Sequence, residues 1–512
     1  MLDEGGFATH LKRIVCVMIM HRSINSKKTS STRPATLFLL RTHLELDVKK
    51  PFLRQINWQF NKKAKFVMAL VVIAVVLISS FVILYKPAPT KSEVTAITQG
   101  NSTTSSVPKS GSGSHNKAPS ISKVTTVASD ATKASSNANK PPGLIATSPI
   151  INSTVWHDVA ANAWAFFQPG IGVDPNTGLP YAGGQGFEAF TDWDLGAYIQ
   201  AIIDAEKIGL ETSADANARF DKILTFLADR PINETTGYPF WFYDATNGTD
   251  YHENSDNATF AADTADLGAL FVGLNNLRVF DPSLAPEINN IVFNGTSNFA
   301  ALLPIIQADS TSNNTYSYFV DSGFADFWSQ QVGNVPGDIL NNILNSPTIS
   351  VSGVSLPEAL IGNEPLIRSV FEFSSVPSGL TNLMAKVYAA NEAYYDQTGK
   401  FIAPSEGQTP SNGWAYGWVV GPHDVPWEVT NSYPYTLDYT NPAVLYNKVA
   451  FSYLALYNTT FARSLTVFIE NICPTPTNGY FDGADTSGNI VNELGTNTNS
   501  LILDAALYAL QK

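Results

Sequence analysis

Cysteine is nearly absent: the 512 residues contain two, Cys16 and Cys473, on opposite sides of a long uncharged run. They cannot pair within one folded domain, so stability must come from a core and not from disulfides. Histidine is also scarce. Beyond residue 145 only His157, His252 and His423 occur. No Cys/His spacing suits zinc, and no Gly-x-Ser-x-Gly elbow or phosphate-binding loop is found. His423-Asp424 is a lone loop pair, and such a histidine is more often simply solvated. Positive charge is thin after residue 65, where 18 basic residues face 40 acidic ones for a net −22. Nucleic-acid binding needs a basic footprint and is excluded on this balance; neutral or cationic substrates remain.

Charge is missing altogether from Phe66 to Tyr85, twenty residues rich in Val, Ile and Leu. As a helix rising about 1.5 Å per residue, this run spans roughly the 30 Å of a bilayer core. A helix is the form that satisfies its backbone there. The run ends in Leu84, Tyr85, Lys86 and Pro87, without the small-residue cleavage site of a secretory signal. Residues 1–65 hold thirteen Lys/Arg against four acids, a net +9. Lys and Arg stay on the cytoplasmic side. The expected order is a basic cytoplasmic tail (1–65), a transmembrane helix (66–85), a Ser/Thr-rich stalk (86–145) and an exported domain (146–512). The stalk contains segments such as Ser110–Ser114, too small and polar to bury surface. Eight Asn-x-Ser/Thr sequons, at Asn101, Asn152, Asn233, Asn247, Asn257, Asn294, Asn313 and Asn458, fit a glycosylated extracellular surface. The expected location is the cell membrane, crossed once, with the bilayer as one partner.

From residue 150 apolar residues recur at helical spacing. Leu195, Tyr198, Ile199 and Ile202 form one stripe, and Phe220, Ile223, Leu224 and Leu227 another. Leu267–Leu277, Leu380–Val387 and Phe461–Ile472 repeat the pattern. Such spacing predicts amphipathic helices with one buried face. Further helices are expected over Trp156–Phe167 and Ser500–Leu510, and a short β element near Thr348–Val354. Long loops rich in Gly, Pro and aromatics separate them, at Gly170–Gly186, Gly237–Asn257, Glu406–Asp438 and Pro474–Gly495. Long loops in a compact domain are often functional. The fold class is mostly α, with helix pairs surrounding a cavity and loops forming a cleft at one end.

Three acidic segments lie where chemistry is expected. Asp192 and Asp194 flank Trp193 at a helix entrance. A cap at Thr191 or Asp192 accounts for one carboxylate, but not for two around a tryptophan. Glu364 sits in Gly362-Asn-Glu-Pro365, ahead of a helix expected to start at Pro365. Glu406 is followed by Trp414, Tyr416 and Trp418, and a second aromatic group holds Trp241 and Tyr243. Sugar rings stack on aromatic faces while acids bond hydroxyls or move protons. The same aromatics would otherwise serve as core, although Gly/Pro-rich loops are a less usual place for core aromatics.

Thr191-Asp-Trp-Asp-Leu-Gly-Ala-Tyr198 and Asp263-Thr-Ala-Asp-Leu-Gly-Ala-Leu270 resemble helices of an exported domain family known as domain of unknown function 3131. Gly362–Pro365, Gln397–Glu406, Lys448–Tyr457, Gly479–Gly483 and Thr496–Tyr508 follow in the family's order. The resemblance covers about residues 185–510. It implies an (α/α)6 toroid similar to glucoamylase-like glycosidases, with a carboxylate-lined cleft. It also carries Asp194, Glu364 and Glu406 onto the family's acids. Asp192 stands where that pattern has an uncharged residue, and a Gly/Trp-rich insert follows Glu406. The expected activity is an extracellular glycoside hydrolase or transglycosidase acting on a polysaccharide or oligosaccharide. Glu364 and Glu406 would be its acid/base pair, and Asp194 would bind hydroxyls or position water. Asp192, Trp193, Trp241, Tyr243, Trp414, Tyr416 and Trp418 would bind substrate. No metal and no cofactor is expected. A non-catalytic glycan-binding protein and a structural envelope protein are the alternatives.

Overall fold

The computed structural model describes residues 143–183, 187–234, 236–251, 263–410, 413–431, 437 and 443–512. The basic tail, the uncharged run and nearly all of the stalk lie outside these residues, as do His252 and the sequons at Asn101 and Asn257. Among the described residues no single helix is long and apolar enough to cross a membrane.

Twelve α-helices of ten or more residues are found among the described residues. In chain order they are α1 (Ser153–Phe166), α2 (Asp192–Ile208), α3 (Ser213–Asp229), α4 (Thr264–Phe280), α5 (Ala285–Asn294) and α6 (Thr315–Phe327). There follow α7 (Val335–Asn345), α8 (Asn363–Glu372), α9 (Ser378–Thr398), α10 (Asn447–Tyr457), α11 (Thr460–Ile472) and α12 (Thr496–Leu510). The even-numbered helices pack each against the next, and α12 packs back against α2. They form a closed inner ring. Every odd-numbered helix packs on an inner neighbour, α1 on α12 and α3 on α2 among them. Six inner and six outer helices are the (α/α)6 arrangement.

The two layers differ in how their sequences are buried. Outer helices show a single stripe: α3 buries Ala216, Phe220, Ile223, Leu224 and Leu227 and exposes the rest of its length to varying degrees. Inner helices are enclosed on all sides. In α2 every residue from Asp192 to Ala205 is buried, and in α12 every residue from Thr496 to Ala506. The one-faced pattern expected at Leu195–Ile202 and Leu267–Leu277 therefore holds only for the outer layer. An inner helix meets neighbours on both flanks, an outer helix behind, and the ring's contents in front. The expected hairpin is present as Thr348–Val351 paired with Val354–Pro357. Helix α8 starts at Asn363, two residues before Pro365, so Glu364 lies within its first turn.

Glycine lets three inner helices touch backbone to backbone. A Cβ on Gly196 of α2 would lie 2.5 Å from the Ala269 carbonyl oxygen of α4, and one on Gly323 of α6 would lie 2.1 Å from that of Gly268. Alanine is ordinarily worth about 1 kcal/mol more than glycine inside a helix. Here the sign reverses. Gly323→Ala is expected to destabilise by about 2 kcal/mol through overpacking, measured by urea unfolding. A stabilised variant would mean that α4 and α6 are not in contact there.

Candidate active site

All six inner helices present their N-termini at the same end of the ring. The Thr191 hydroxyl ahead of α2 lies 3.5 Å from Asp266 Oδ1 on α4. The Gly362 N–H ahead of α8 donates to Thr315 Oγ1 on α6 at 3.0 Å. Lys448 Nζ on α10 donates to Glu364 Oε2 on α8 at 2.5 Å. Arg368 Nη2 on α8 donates to the Asn497 side chain and to Ser500 Oγ on α12. Helix N-termini carry partial positive charge, so six of them favour the carboxylates gathered around this mouth.

Glu364 is fully buried and enclosed by donors. Its Oε1 accepts from Arg368 Nε at 3.0 Å, while Oε2 accepts from Lys448 and, at 3.1 Å, from Ser405 Oγ. Burial acts to raise its pKa, but Lys448 and Arg368 outweigh burial and hold it below the usual value. Glu406 begins the strand Glu406–Gln408, and its partner across the antiparallel pair is Tyr416. Directly opposed residues share one face of a sheet, and the Tyr416 hydroxyl bonds the Glu406 carboxyl. Burial, followed by the Glu364 charge, pushes Glu406 up to about 8. Asp194 closes a capping box: its Oδ2 accepts from the Thr191 N–H at 2.9 Å and from Thr191 Oγ1 at 3.2 Å. Its Oδ1 has no hydrogen-bond partner among the described residues. Burial raises Asp194 to about 6, eased by the Thr191 bonds.

The structure thus brings Asp194, Glu364 and Glu406 to one mouth, close enough for Asp194 and Glu406 each to feel Glu364. Of the other sequence-selected residues, Tyr416 stays beside Glu406 and most of the rest are taken up in the core. Asp192 is completely buried in an ion pair with Arg230 at 2.5 Å. Tyr243 and Trp418 show no exposed ring face; the former donates its hydroxyl to the Pro231 carbonyl and the latter its indole N–H to Thr430 Oγ1. Trp193 is 8% exposed and packs against Tyr316 and Phe319. Trp241 and Trp414 are 39% and 40% exposed, and the Trp241 ring packs at a tilt on Phe242. Tyr416 is half-buried, stacked on Trp418.

Several mouth residues escaped the sequence reading. Asp482 accepts from Thr498 Oγ1 at 2.5 Å and is raised by burial. Glu493 is raised to about 7 by burial and then by Asp482 and Asp194. Asp266 is pushed well above the carboxylate range by burial and by Asp263, Asp194, Asp192 and Glu406. The two cations, Arg368 and Lys448, are buried. A sequence signal existed for Arg368, because Glu364, Arg368 and Glu372 are spaced four apart on one helical face. Lys448 stands alone in the otherwise uncharged segment Val444–Tyr457, a second available signal.

Comparison with known proteins bears on the family and the fold. The chain matches the family described as "Protein of unknown function (DUF3131)" over residues 158–295 and 348–512. No curated protein sequence matches it. Its fold is similar to an endo-β-1,2-glucanase from Talaromyces funiculosus in complex with sophorose, with a TM-score of 0.50 at 12% identity, covering 72% of this chain and 85% of that one. A mutant of that enzyme with β-1,2-glucan gives a TM-score of 0.50 at 10% identity, covering 72% and 88%. An endo-β-1,2-glucanase from Chitinophaga pinensis gives 0.48 at 10% identity, covering 70% and 95%. At these identities the likeness concerns the helical toroid alone. With more than half of its length matched in order, the chain belongs to the DUF3131 family.

Proposed function

We propose that this protein is a glycan-active enzyme, a glycoside hydrolase or transglycosidase, working outside the cell on a membrane-anchored stalk. The observation that carries the reading is the opposite displacement of two neighbouring carboxyls at the mouth. Glu406 is raised to about 8 while Glu364 is held low. Environments that drive paired acids apart assign acid and base roles. Glu406 is the proton donor to the glycosidic oxygen. Glu364 has no accessible oxygen, so its part is to be the fixed negative charge that keeps the proton on Glu406. Asp194, with Oδ1 unengaged, is the base that orients a water on the other side of the sugar. Trp241 and Trp414 are the faces on which further rings stack. The uncharged run at 66–85 and the charge asymmetry around it support the anchor and the outward-facing domain.

A purely glycan-binding protein would use the same tryptophans, but it has no need of a carboxyl that keeps its proton near neutral pH. The test is reducing-end release by the full-length protein from β-1,2-glucan and a panel of other neutral and amino-sugar polysaccharides between pH 5 and 9. Turnover is expected only with Asp194 ionised and Glu406 protonated. The rate should follow a bell with an acid limb near pH 6 and an alkaline limb near pH 8. Absence of turnover on every glycan, or a rate flat across that range, would overturn the assignment.

A further inference from the structure

Deep beneath the mouth, two buried carboxyl groups meet across the seam that closes the ring. Asp204 belongs to α2, the first inner helix, and Asp504 to α12, the last; they are 0% and 3% exposed. Asp204 Oδ1 accepts from Gln200 Nε2 at 2.8 Å, and Gln200 Oε1 accepts in turn from Asn276 Nδ2 at 2.9 Å. The Oδ2 atoms of Asp204 and Asp504 are shut off from solvent and have no donor among the described residues. The two side chains nevertheless lie within hydrogen-bonding reach of each other. Ionised carboxylates only accept, so a bond between them requires a proton on one.

We propose that Asp204 and Asp504 share one proton, and that this proton locks the first inner helix to the last. The charged groups facing the pair are few. Lys207 comes from α2 itself, and Arg368 and Glu372 come from α8. Arg368 is already committed to Glu364 and Glu372. Glu372 is another acid, pushed up to about 8 by burial. Loss of the shared proton would leave two desolvated anions side by side, with a third acid nearby and no uncommitted buried cation facing them. The seam matters for the mouth. Its α2 side carries Asp194, and its α12 side carries Asn497 and Thr498, which hold Arg368 and Asp482. A loosened seam would move Asp194 away from Glu364 and Glu406. The lock is read from folding, so it stands or falls separately from the proposed reaction.

Burial pushes both groups above the ordinary aspartate range, Asp204 to about 6. The native state then keeps a proton that the unfolded chain releases above pH 4. Stability should fall as pH rises from about 4 through the folded-state titration of the pair, and level off beyond it. The experiment is thermal unfolding of the full-length protein from pH 5 to 9, followed by tryptophan fluorescence, for wild type, Asp504→Asn and Asp204→Asn. An asparagine mimics the protonated partner and cannot ionise. The D504N Tm is expected to match wild type at pH 5 and to exceed it by about 3 °C at pH 9. Asp321, a buried acid on α6 raised to about 8, gives the control: D321N combined with D504N should add its own alkaline gain and leave the gain from D504N unchanged. Parallel curves for wild type and D504N would overturn the lock. If D504N does not fold, D204N is judged by the same criterion; failure of both amides to fold at any pH would equally overturn it, since a proton would not be what the seam needs.

Discussion

Glu406→Gln is expected to lower kcat on any glycan the protein cleaves by about 10³-fold, the scale of a lost general acid, with little change in substrate binding. The same variant should be more stable than wild type at alkaline pH. In the fold Glu406 is raised to about 8, above the 4.5 of an ordinary glutamate, so the native state holds a proton that the unfolded chain gives up. That contribution to stability is fully present below pH 4.5 and is lost as pH climbs through 8. Glutamine has no proton to lose and keeps the hydrogen bond to Tyr416. Urea unfolding at pH 9 should therefore show a gain on the order of a few kcal/mol, and at pH 5 almost none. Loss of activity with a gain in alkaline stability separates a buried acid held for catalysis from a structural residue. If activity survives, Glu406 is not the donor; if alkaline stability does not rise, its carboxyl is not protonated in the fold. Glu364→Gln is a poorer probe, because it leaves Lys448 and Arg368 without their shared counter-charge inside the ring.

The outer layer was the most legible part of the sequence. Phe220, Ile223, Leu224 and Leu227 mark one face of α3 because only one face of that helix meets protein. One helix start was legible for a related reason: Thr191 satisfies N–H groups that would otherwise be unpaired, and it is the N-cap observed. The inner layer obeys a different rule. Gln200, Asp204 and Asp504 are as buried as the leucines around them, so periodicity carries little information about which way those helices face. The segments carrying Asp194, Glu364 and Glu406 stood out because acids sat next to turn residues and aromatics. Their meeting at one mouth depends on ring closure between α12 and α2, which no local pattern encodes. Trp418 and Tyr243 misled for a physical reason. Loops rich in Gly and Pro are usually solvated, but these two lie where loops fold back into small sheets, and β pairing beside the helices buries their rings. Arg368 and Lys448 are hard to single out in the sequence because long charged side chains are nearly always surface residues unless paired.

Arg368→Met is expected to be the most damaging single substitution to the fold. The guanidinium is 2% exposed and donates to Glu364 at 3.0 Å, to Glu372 at 2.6 Å, and to Asn497 and Ser500 of α12. It is the main polar tie between α8 and α12, which α10 separates in the ring. Methionine fills much of the space and removes every donor. Glu364 keeps Lys448 as a partner, but Glu372 is left buried with neither charge partner nor donor. Breaking a buried pair from one side costs about 3–5 kcal/mol, and a loss of that size should appear as a lower urea midpoint or as failure to fold. The decisive measurement is the double variant Arg368→Met/Glu372→Gln. Glu372 is raised to about 8 even with Arg368 present, so a neutral amide there should recover a substantial part of the loss. No recovery would mean that the damage comes from the contacts to Asn497 and Ser500. The ring would then be held by polar ties between helices, and the buried charges would be tolerated within it.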